Sequence, residues 1–362
     1  MRIEWIKKYP IVYYMSNLWK YAAAIVVIGV FSYYGDSIKK MFTLVEPEEE
    51  YEMIKKYLLN DSPLYGFNKP KIWIHTKYEI NARKWRDFYS RNTYDLNQPY
   101  IHLTIRSIIQ HCSNDFHICL IDDETFSKLI PTWDIQLSTI AEPLKSQYRQ
   151  LGLAQLVYFY GGMVVPNSFL CEKELKSLWE EGISGGKPFV CETVNRTMNL
   201  QNGLKSSNMP FIPDMYFMGA KKNDPVIKEY IDYLQQRSLN GHITNAYEFL
   251  GDTTAGAVGT IRKGRMNLIG GEFIGIKTKK RKPVLIEDLM EDNFLDIHDN
   301  IYGIYIPEDE FLLRPKYAWF SILTTQQIME TNTFITNHLK ASLADSVSIY
   351  NQSSELSSVT AI

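Results

Sequence analysis

The sequence is poor in cysteine, and its few cysteines are not spaced for metal binding. Only four occur in 362 residues: Cys112, Cys119, Cys171 and Cys191. None lies in a CxxC or cysteine–histidine spacing, which argues against a structural zinc site. Four scattered cysteines do not form a disulfide framework either, and they do not fix the redox compartment.

The sequence also lacks a basic excess. Its 39 lysines and arginines are offset by 41 aspartates and glutamates, which gives a net charge of −2. Proteins that bind nucleic acid usually carry clustered positive charge, so this class is excluded. The hydrophobic content of 45% and charged content of 22% are ordinary for a globular protein with a large core.

Charge is absent from residues 21–35 near the N-terminus. Residues 18–35 are long and apolar enough to cross a bilayer if Lys20 extends toward the lipid headgroups. Tryptophan and tyrosine flank this run on both sides, as at membrane interfaces. The alternative is a helix buried against the main domain. Basic residues in segment 1–17 predict a cytosolic N-terminus and a single-pass, type II membrane protein.

The remainder of the chain predicts a stem, one α/β domain and a C-terminal extension. Residues 36–68 are assigned to the stem, 69–320 to the domain, 321–340 to a C-terminal helix and 341–362 to a serine-rich flexible tail. Strands are predicted at 71–75, 116–121, 163–165, 188–191 and 215–218, and helices at 98–112, 143–160 and from Pro225 onward. Alternating strands and helices indicate a mostly parallel sheet.

Three segments carry a family resemblance: PKIWIH at 70–75, TIRSIIQHC…FHICLIDDETF at 104–126, and LAQLVYFYGGMVVPNSFL at 153–170. A looser match covers 214–234. In this order they resemble glycosyltransferases of the capsular-polysaccharide-synthesis and mannosyltransferase type. The resemblance implies a GT-A-like fold, with a Rossmann-like mixed sheet flanked by helices. It also implies transfer of a sugar from a nucleotide-sugar donor to a glycan, lipid or protein acceptor.

The sequence departs from that family where its enzymes carry metal-binding carboxylates. Pro166 stands in place of the first acid of the DXD motif, and Ser168 in place of the second. Gln150 and Leu153 occupy the positions of a family aspartate and arginine in the preceding helix. Asn167 is only a weak neutral ligand, so no Mg²⁺ or Mn²⁺ site is assigned, although either cation stays an alternative. The enzyme is then either metal-independent or a catalytically inactive relative with a structural or binding role.

Candidate donor-binding residues follow from the strand ends and from the resemblance. They are Trp73, His75, Asp122, Asp123, Arg149, Gly161, Gly162 and Asn167. Each has a simpler alternative. The paired aspartates suit a helix cap, a lone arginine is usually solvated, and tryptophan usually packs in the core.

Candidate catalytic residues lie in the second half of the chain. Asp214 and Asp252 are predicted as general bases toward an acceptor hydroxyl, with Glu248 as a further candidate. The basic run over 277–282 and His298 could neutralise a leaving diphosphate, although surface exposure is the simpler explanation for both. A sugar-nucleotide hydrolase is a third option, but no paired-carboxylate site can be assigned for it.

Overall fold

The computed structural model describes residues 69–76, 98–131, 133–142, 144–194, 211–240 and 256–344. The predicted N-terminal segment, anchor and stem, the chain beyond 344, Glu248 and Asp252 all lie outside these ranges. Within them, no helix is both long and apolar enough to cross a bilayer. The predicted span over 18–35 therefore stays a prediction.

Strands and helices alternate along the described chain. The strands are β1 (Lys71–His75), β2 (His117–Ile121), β3 (Gly162–Val164), β4 (Phe169–Cys171), β5 (Phe189–Val194), β6 (Phe211–Ala220), β7 (Asn267–Ile269) and β8 (Gly303–Tyr305). The helices are α1 (Tyr100–Cys112), α2 (Thr125–Leu129), α3 (Leu144–Tyr160), α4 (Lys176–Gly182), α5 (Pro225–Asn240), α6 (256–262), α7 (Ile286–Met290), α8 (Glu308–Leu313), α9 (Ala318–Ile322), α10 (Thr325–Glu330) and α11 (334–344).

Six strands form one sheet in the order β2-β1-β3-β6-β5-β7. β1 runs parallel to both β2 and β3, and β5 runs parallel to β7. β6 is antiparallel to β3 and to β5, so the other five strands all point the same way. The predicted mixed α/β sheet with mostly parallel strands is confirmed. A second sheet pairs β4 with β8 in antiparallel register.

The apolar faces of the helices explain how they pack on this sheet. On α1, Ile101, Ile105, Ile108 and Cys112 are buried as the helical spacing predicts, but Ile109 is 45% exposed. On α5, every predicted core residue from Val226 to Leu234 is buried. The side chain of Asp224 starts that helix by accepting hydrogen bonds from the amides of Val226 and Ile227.

The C-terminal part of the domain is more divided than the sequence suggests. The helix predicted over 321–340 corresponds to the end of α9, all of α10 and most of α11. α10 begins at a capping box, in which Thr324 and Gln327 exchange side-chain and backbone hydrogen bonds. This cap fixes a new helix start that the apolar pattern alone does not reveal.

Candidate functional site

The five parallel strands end on one side of the sheet, here called the carboxyl edge. Ligands of open α/β sheets bind at this edge, beyond the strand ends. Its first half consists of the ends of β1 and β2 with the start of α3. Its second half consists of the ends of β5 and β7 with the start of β6, which runs the opposite way.

The first half holds a closed network of charged side chains around Asp123. Arg149 donates to Asp123 through two nitrogens, Nε to Oδ1 at 2.8 Å and Nη2 to Oδ2 at 2.7 Å. The His75 ring nitrogen Nε2 lies 3.0 Å from Asp123 Oδ1. The His75 ring also stacks on Phe126, with ring centroids 5.5 Å apart. His75, Asp123 and Arg149 are all predicted donor-binding residues. They meet in space and bond to one another.

Arg149 is buried and bonded at every side-chain nitrogen. Its third nitrogen, Nη1, donates to Glu142 Oε1 at 3.2 Å, and the residue is only 5% exposed. A bidentate guanidinium–carboxylate pair is a strong, geometrically fixed contact. Two carboxylates around one guanidinium leave this group with net negative charge. Arg149 therefore has a structural role in this network, and its contact with the donor diphosphate stays a prediction.

The network also determines the ionisation of Asp123. Burial by itself raises the pKa of this carboxyl group, but hydrogen bonds from His75 and Arg149, and the charge on Arg149, outweigh it. The pKa is consequently held well below its usual range. Asp123 stays ionised at neutral pH, and its charge is used within the protein.

Asp122 acts as a local cap, which was the simpler alternative for it. Its Oδ1 accepts hydrogen bonds from the Glu124 amide at 3.1 Å and from the Thr125 amide at 2.9 Å, just before α2. The Thr125 hydroxyl donates to the same oxygen at 2.6 Å. These bonds lower the pKa of Asp122 despite the opposing effect of burial. All three bonds are accepted by the same carboxylate oxygen, Oδ1.

Trp73 belongs to the core. It is 2% exposed, its Nε1 donates to the Gly161 carbonyl at 3.0 Å, and its ring meets the edge of Tyr160 at 5.6 Å. Trp319 is half-exposed on α9 and packs against Phe320. Trp73 thus packs in the core, and its expected place in a base or sugar pocket stays a prediction.

The glycine pair lies at the opposite edge from the candidate site. Gly161 and Gly162 precede β3, and Gly162 pairs with Ala220 at the end of β6. Both have positive φ angles, of 70° and 98°. A Cβ on Gly162 would approach the Lys71 carbonyl oxygen to 2.3 Å. The pair is required for the tight entry into β3, and its contribution to the donor site stays a prediction.

The turn after β3 does not supply metal ligands. The Asn167 carbonyl accepts from the Thr104 hydroxyl at 2.5 Å. Ser168 is 1% exposed and donates its hydroxyl to the Ile306 carbonyl at 3.0 Å. Across the described ranges, no group of three or more histidine, cysteine, aspartate or glutamate side chains could hold a metal ion. The residues present at this turn therefore do not fit Mg²⁺ or Mn²⁺, which prefer carboxylate oxygens.

The second half contains a different kind of carboxylate, Asp214 on β6. It is 8% exposed and accepts a hydrogen bond from the Tyr216 amide at 2.9 Å. The Tyr305 hydroxyl donates to it as well. Burial raises its pKa, and these two hydrogen bonds only partly offset that effect. A carboxylate with a raised pKa is a stronger base than one in water.

Glu192, toward the end of β5, contacts the chain beyond β7. Cys191, next to Glu192, pairs with Asp214 across the two strands. Glu192 Oε2 accepts from the Gly271 amide at 2.7 Å and forms an ion pair with Lys277. Sequence reasoning missed Glu192, although its position at the end of a predicted strand could have revealed it. Lys277 itself is 9% exposed and belongs to this pair.

Beyond Lys277 the chain makes an exposed turn, here called the basic turn (residues 279–282). Lys277 and Pro283 are joined by an antiparallel bridge, and Arg281 has a positive φ of 59°. Lys279 pairs with Asp299 at 2.8 Å. The side chains of Lys280, Arg281 and Lys282 form no ion pair with described residues, and all three are exposed. Three cations thus lie in solvent on the chain segment that follows Lys277.

His298 lies beside the basic turn. The bridge between Thr278 and Ile297 places it there. Its Nδ1 accepts from the Asn300 amide at 3.2 Å, and its ring contacts Phe273 at 5.6 Å. It is partly exposed. This is the environment of a satisfied surface histidine.

Comparison with known proteins yields distant structural matches only. No protein-family model matches the sequence, and no curated protein matches it either. Among solved structures, the PaToxG glycosyltransferase aligns at 12% identity with a TM-score of 0.29, covering 60% of this chain and 80% of its own. The galactosyltransferase LgtC, in complex with donor and acceptor sugar analogs, aligns at 9% identity with a TM-score of 0.30, covering 56% and 74%. TM-scores below 0.5 do not establish a shared fold.

Proposed function

We propose that this protein is a membrane-anchored glycosyltransferase that moves a sugar from a nucleotide-sugar donor to a glycan, lipid or protein acceptor without a metal ion. The observation that carries the proposal is the second half of the carboxyl edge. There, β6 carries a buried carboxylate with a raised pKa, and the chain beyond β7 carries an exposed turn whose three cations form no ion pair with described residues. The family resemblance of 70–170 gives the reaction class.

Asp214 is assigned the role of general base. As the acceptor oxygen bonds to the sugar carbon, Asp214 takes the hydroxyl proton, and the nucleoside diphosphate leaves with the electrons of the broken bond. Its raised pKa increases its affinity for that proton. Tyr305 and the Tyr216 amide hold the carboxylate in place while it reacts.

The basic turn is assigned to the leaving diphosphate. Metal-dependent transferases neutralise this group with a divalent cation held by carboxylates. Pro166 and the buried Ser168 do not hold such an ion here. Lys280, Arg281 and Lys282 offer the positive charge instead, since cationic side chains stabilise a leaving phosphate in the same way.

A second candidate is a non-catalytic protein that binds sugar nucleotides or serves a structural role. The observation that favours it is the turn after β3, where Ser168 faces the Ile306 carbonyl instead of solvent. In that case the protein retains the carboxyl edge of the sheet but does not catalyse sugar transfer. The two candidates differ in whether bound donor releases its diphosphate.

Calorimetry with UDP, GDP and their sugars, in EDTA and in Mn²⁺, tests the proposal. We expect one donor to bind equally well under both conditions and to release nucleoside diphosphate when acceptor is added. Replacing Lys280, Arg281 and Lys282 together by glutamine should weaken binding about tenfold or more, since each charged contact contributes about 1–3 kcal/mol.

Arg262 and Lys263 provide the matched control. They are also exposed, but they precede β7 and so lie at the opposite edge. Their replacement by glutamine should leave the donor affinity unchanged. Absence of binding across the panel, or binding only in Mn²⁺, would contradict the metal-independent site. Tight binding without any release of diphosphate would select the second candidate.

Membrane anchorage belongs to the same proposal. The uncharged run over 21–35 with its aromatic flanks supports a type II orientation. We expect the full chain to stay in the membrane fraction after alkaline carbonate extraction. A chain starting at residue 36 should be released, and its retention would contradict the anchor.

A further inference from the structure

Two cysteines far apart in the sequence meet in the core. Cys112 is the last residue of α1 and Cys171 the last residue of β4. Their Sγ atoms are 3.8 Å apart, and both residues are completely buried. A disulfide requires the sulfurs to come about 1.8 Å closer, to a bond length of about 2.05 Å.

Separate hydrogen bonds hold the two elements together at this point. The Cys171 amide donates to the Ser107 hydroxyl of α1 at 2.9 Å. The Cys171 carbonyl accepts from the Ser342 hydroxyl of α11 at 2.6 Å. Two bonds that do not involve sulfur therefore hold the backbone of Cys171, and the bond to Ser107 joins β4 to α1. The proximity of the thiols is a property of the fold.

The other two cysteines have no such neighbour. Cys119 bonds through its sulfur to the His117 carbonyl at 3.7 Å, and Cys191 lies beside Asp214 on the next strand. The four cysteines of the chain all lie in the described ranges, and Cys112–Cys171 is the one pair whose sulfurs meet. The geometry therefore selects one pairing out of six.

We propose that Cys112 and Cys171 form a disulfide during folding, linking α1 to β4. The reaction is thiol–disulfide exchange with a disulfide donor such as oxidised glutathione or a protein oxidoreductase. The two cysteine thiols lose two protons and two electrons, and the donor is reduced to two thiols.

Burial determines when the bond forms. Exchange requires a thiolate in contact with the donor. In the folded domain both sulfurs are out of reach of solvent, and burial raises the pKa of Cys171 further. One of the two thiols therefore forms a mixed disulfide with the donor before packing is complete. When α1 packs on β4, the second thiol reaches this mixed disulfide and displaces the donor's remaining thiol, and the finished bond is protected from reductants. A disulfide at this place suits the proposed topology. The domain would lie on the side of the membrane away from the cytosol, and disulfides persist in such oxidising compartments.

Peptide mapping of the full chain tests the proposal. The chain is unfolded in urea, refolded with a reduced and oxidised glutathione mixture, alkylated under denaturing conditions and analysed by mass spectrometry. We expect one linked peptide pair containing Cys112 and Cys171, with Cys119 and Cys191 alkylated as thiols. Four alkylated thiols, or another pairing, would overturn the proposal.

A variant with Cys119→Ala and Cys191→Ala provides the matched control, because it keeps only the proposed pair. It should form the same bond. Chain refolded with dithiothreitol should melt about 4–8 °C lower than oxidised chain. The oxidised chain should also keep its bond in dithiothreitol until urea unfolds it. Rapid reduction of the bond in the native state would show that the linked cysteines are not the buried pair.

Discussion

Two acidic side chains at the carboxyl edge have pKa values shifted in opposite directions. Asp123, in the first half, is paired with Arg149 and His75, which keep its pKa low. Asp214, in the second half, has no cationic partner among the causes of its shift, and burial raises its pKa. Asp123 follows β2, whereas Asp214 lies in β6, three positions away in the sheet order. Their partners differ, and Asp214 is the more deeply buried of the two.

The difference separates a structural half from a candidate reactive half. An ion pair that satisfies every donor, as at Arg149, stabilises the fold but leaves little for a ligand. A carboxylate kept in a poorly solvated position destabilises the folded protein when ionised, which is typical of functional sites. The exposed basic turn lies in this second half as well. The difference between Asp123 and Asp214 is the reason for placing the proposed site in the second half of the edge.

Removing the carboxylate of Asp214 should have the largest effect on activity. Asp214→Asn retains an oxygen for the Tyr216 amide and the Tyr305 hydroxyl but cannot accept a proton. We expect sugar transfer to fall about 100- to 10,000-fold, as for loss of a general base, while the melting temperature at neutral pH does not decrease.

Transfer of labelled sugar and thermal unfolding should be measured on the same preparation. Asp232→Asn, on the exposed face of α5, is the control and should keep wild-type activity. Full activity in Asp214→Asn would show that Asp214 is not the general base. A large loss of stability would show that its carboxylate is structural, like that of Asp123.

Breaking the first half should affect stability instead. Arg149→Ala leaves Asp123 and Glu142 without their shared partner. We expect a loss of about 3 kcal/mol, at the lower end for breaking a buried ion pair, because Asp123 retains some access to water. Urea unfolding measures this loss.

Arg265→Ala is a matched control for that experiment. Arg265 makes the same bidentate contact with Glu229, at 2.7 and 2.6 Å, but on the surface. Its removal should leave the urea midpoint nearly unchanged, since exposed pairs contribute little. Equal effects of the two substitutions would show that burial does not distinguish the first half.

We expect the smallest effect in the pH dependence of stability. There, Asp123 and Asp214 should change the free energy of unfolding in opposite directions. The lowered pKa of Asp123 contributes stability above the unfolded value near 3.9, and this is lost as pH falls. The raised pKa of Asp214 contributes stability at low pH, and this is lost as pH rises through the folded value.

The cost of Asp123→Asn should therefore grow from pH 3.5 to 7, to about 1–3 kcal/mol for loss of a charged hydrogen-bonded group. The cost of Asp214→Asn should shrink over the same range or become a gain. Urea titrations of both variants and the wild type, at a series of pH values, measure the trends. Parallel trends would contradict the opposite shifts.

The sequence predicts the fold better than it predicts the site. Apolar periodicity identifies α1, α3 and α5, and the segment Asn223–Pro225 identifies the start of α5, because these signals depend on local chemistry. Sheet direction at β6 is not predicted, since antiparallel pairing there depends on contacts with β3 and β5 distant in the chain.

Site residues are harder to predict from the sequence, because the fold determines which side chains a residue contacts. Asp123 and Arg149 are both predicted to contact the donor, but their mutual pairing could not be predicted from positions 26 residues apart. Gly161 and Gly162 were assigned to the site on resemblance, whereas the fold uses them at the other edge. Asp214 was one of several acids in the second half, and only its burial distinguishes it.

Hydrogen–deuterium exchange with saturating nucleotide sugar tests directly which half binds the donor. We predict increased protection over residues 211–216 and 267–283, with no change over 71–75 and 117–126. Protection confined to the strands and turn around His75 and Asp123 would contradict the assignment of the donor to the second half.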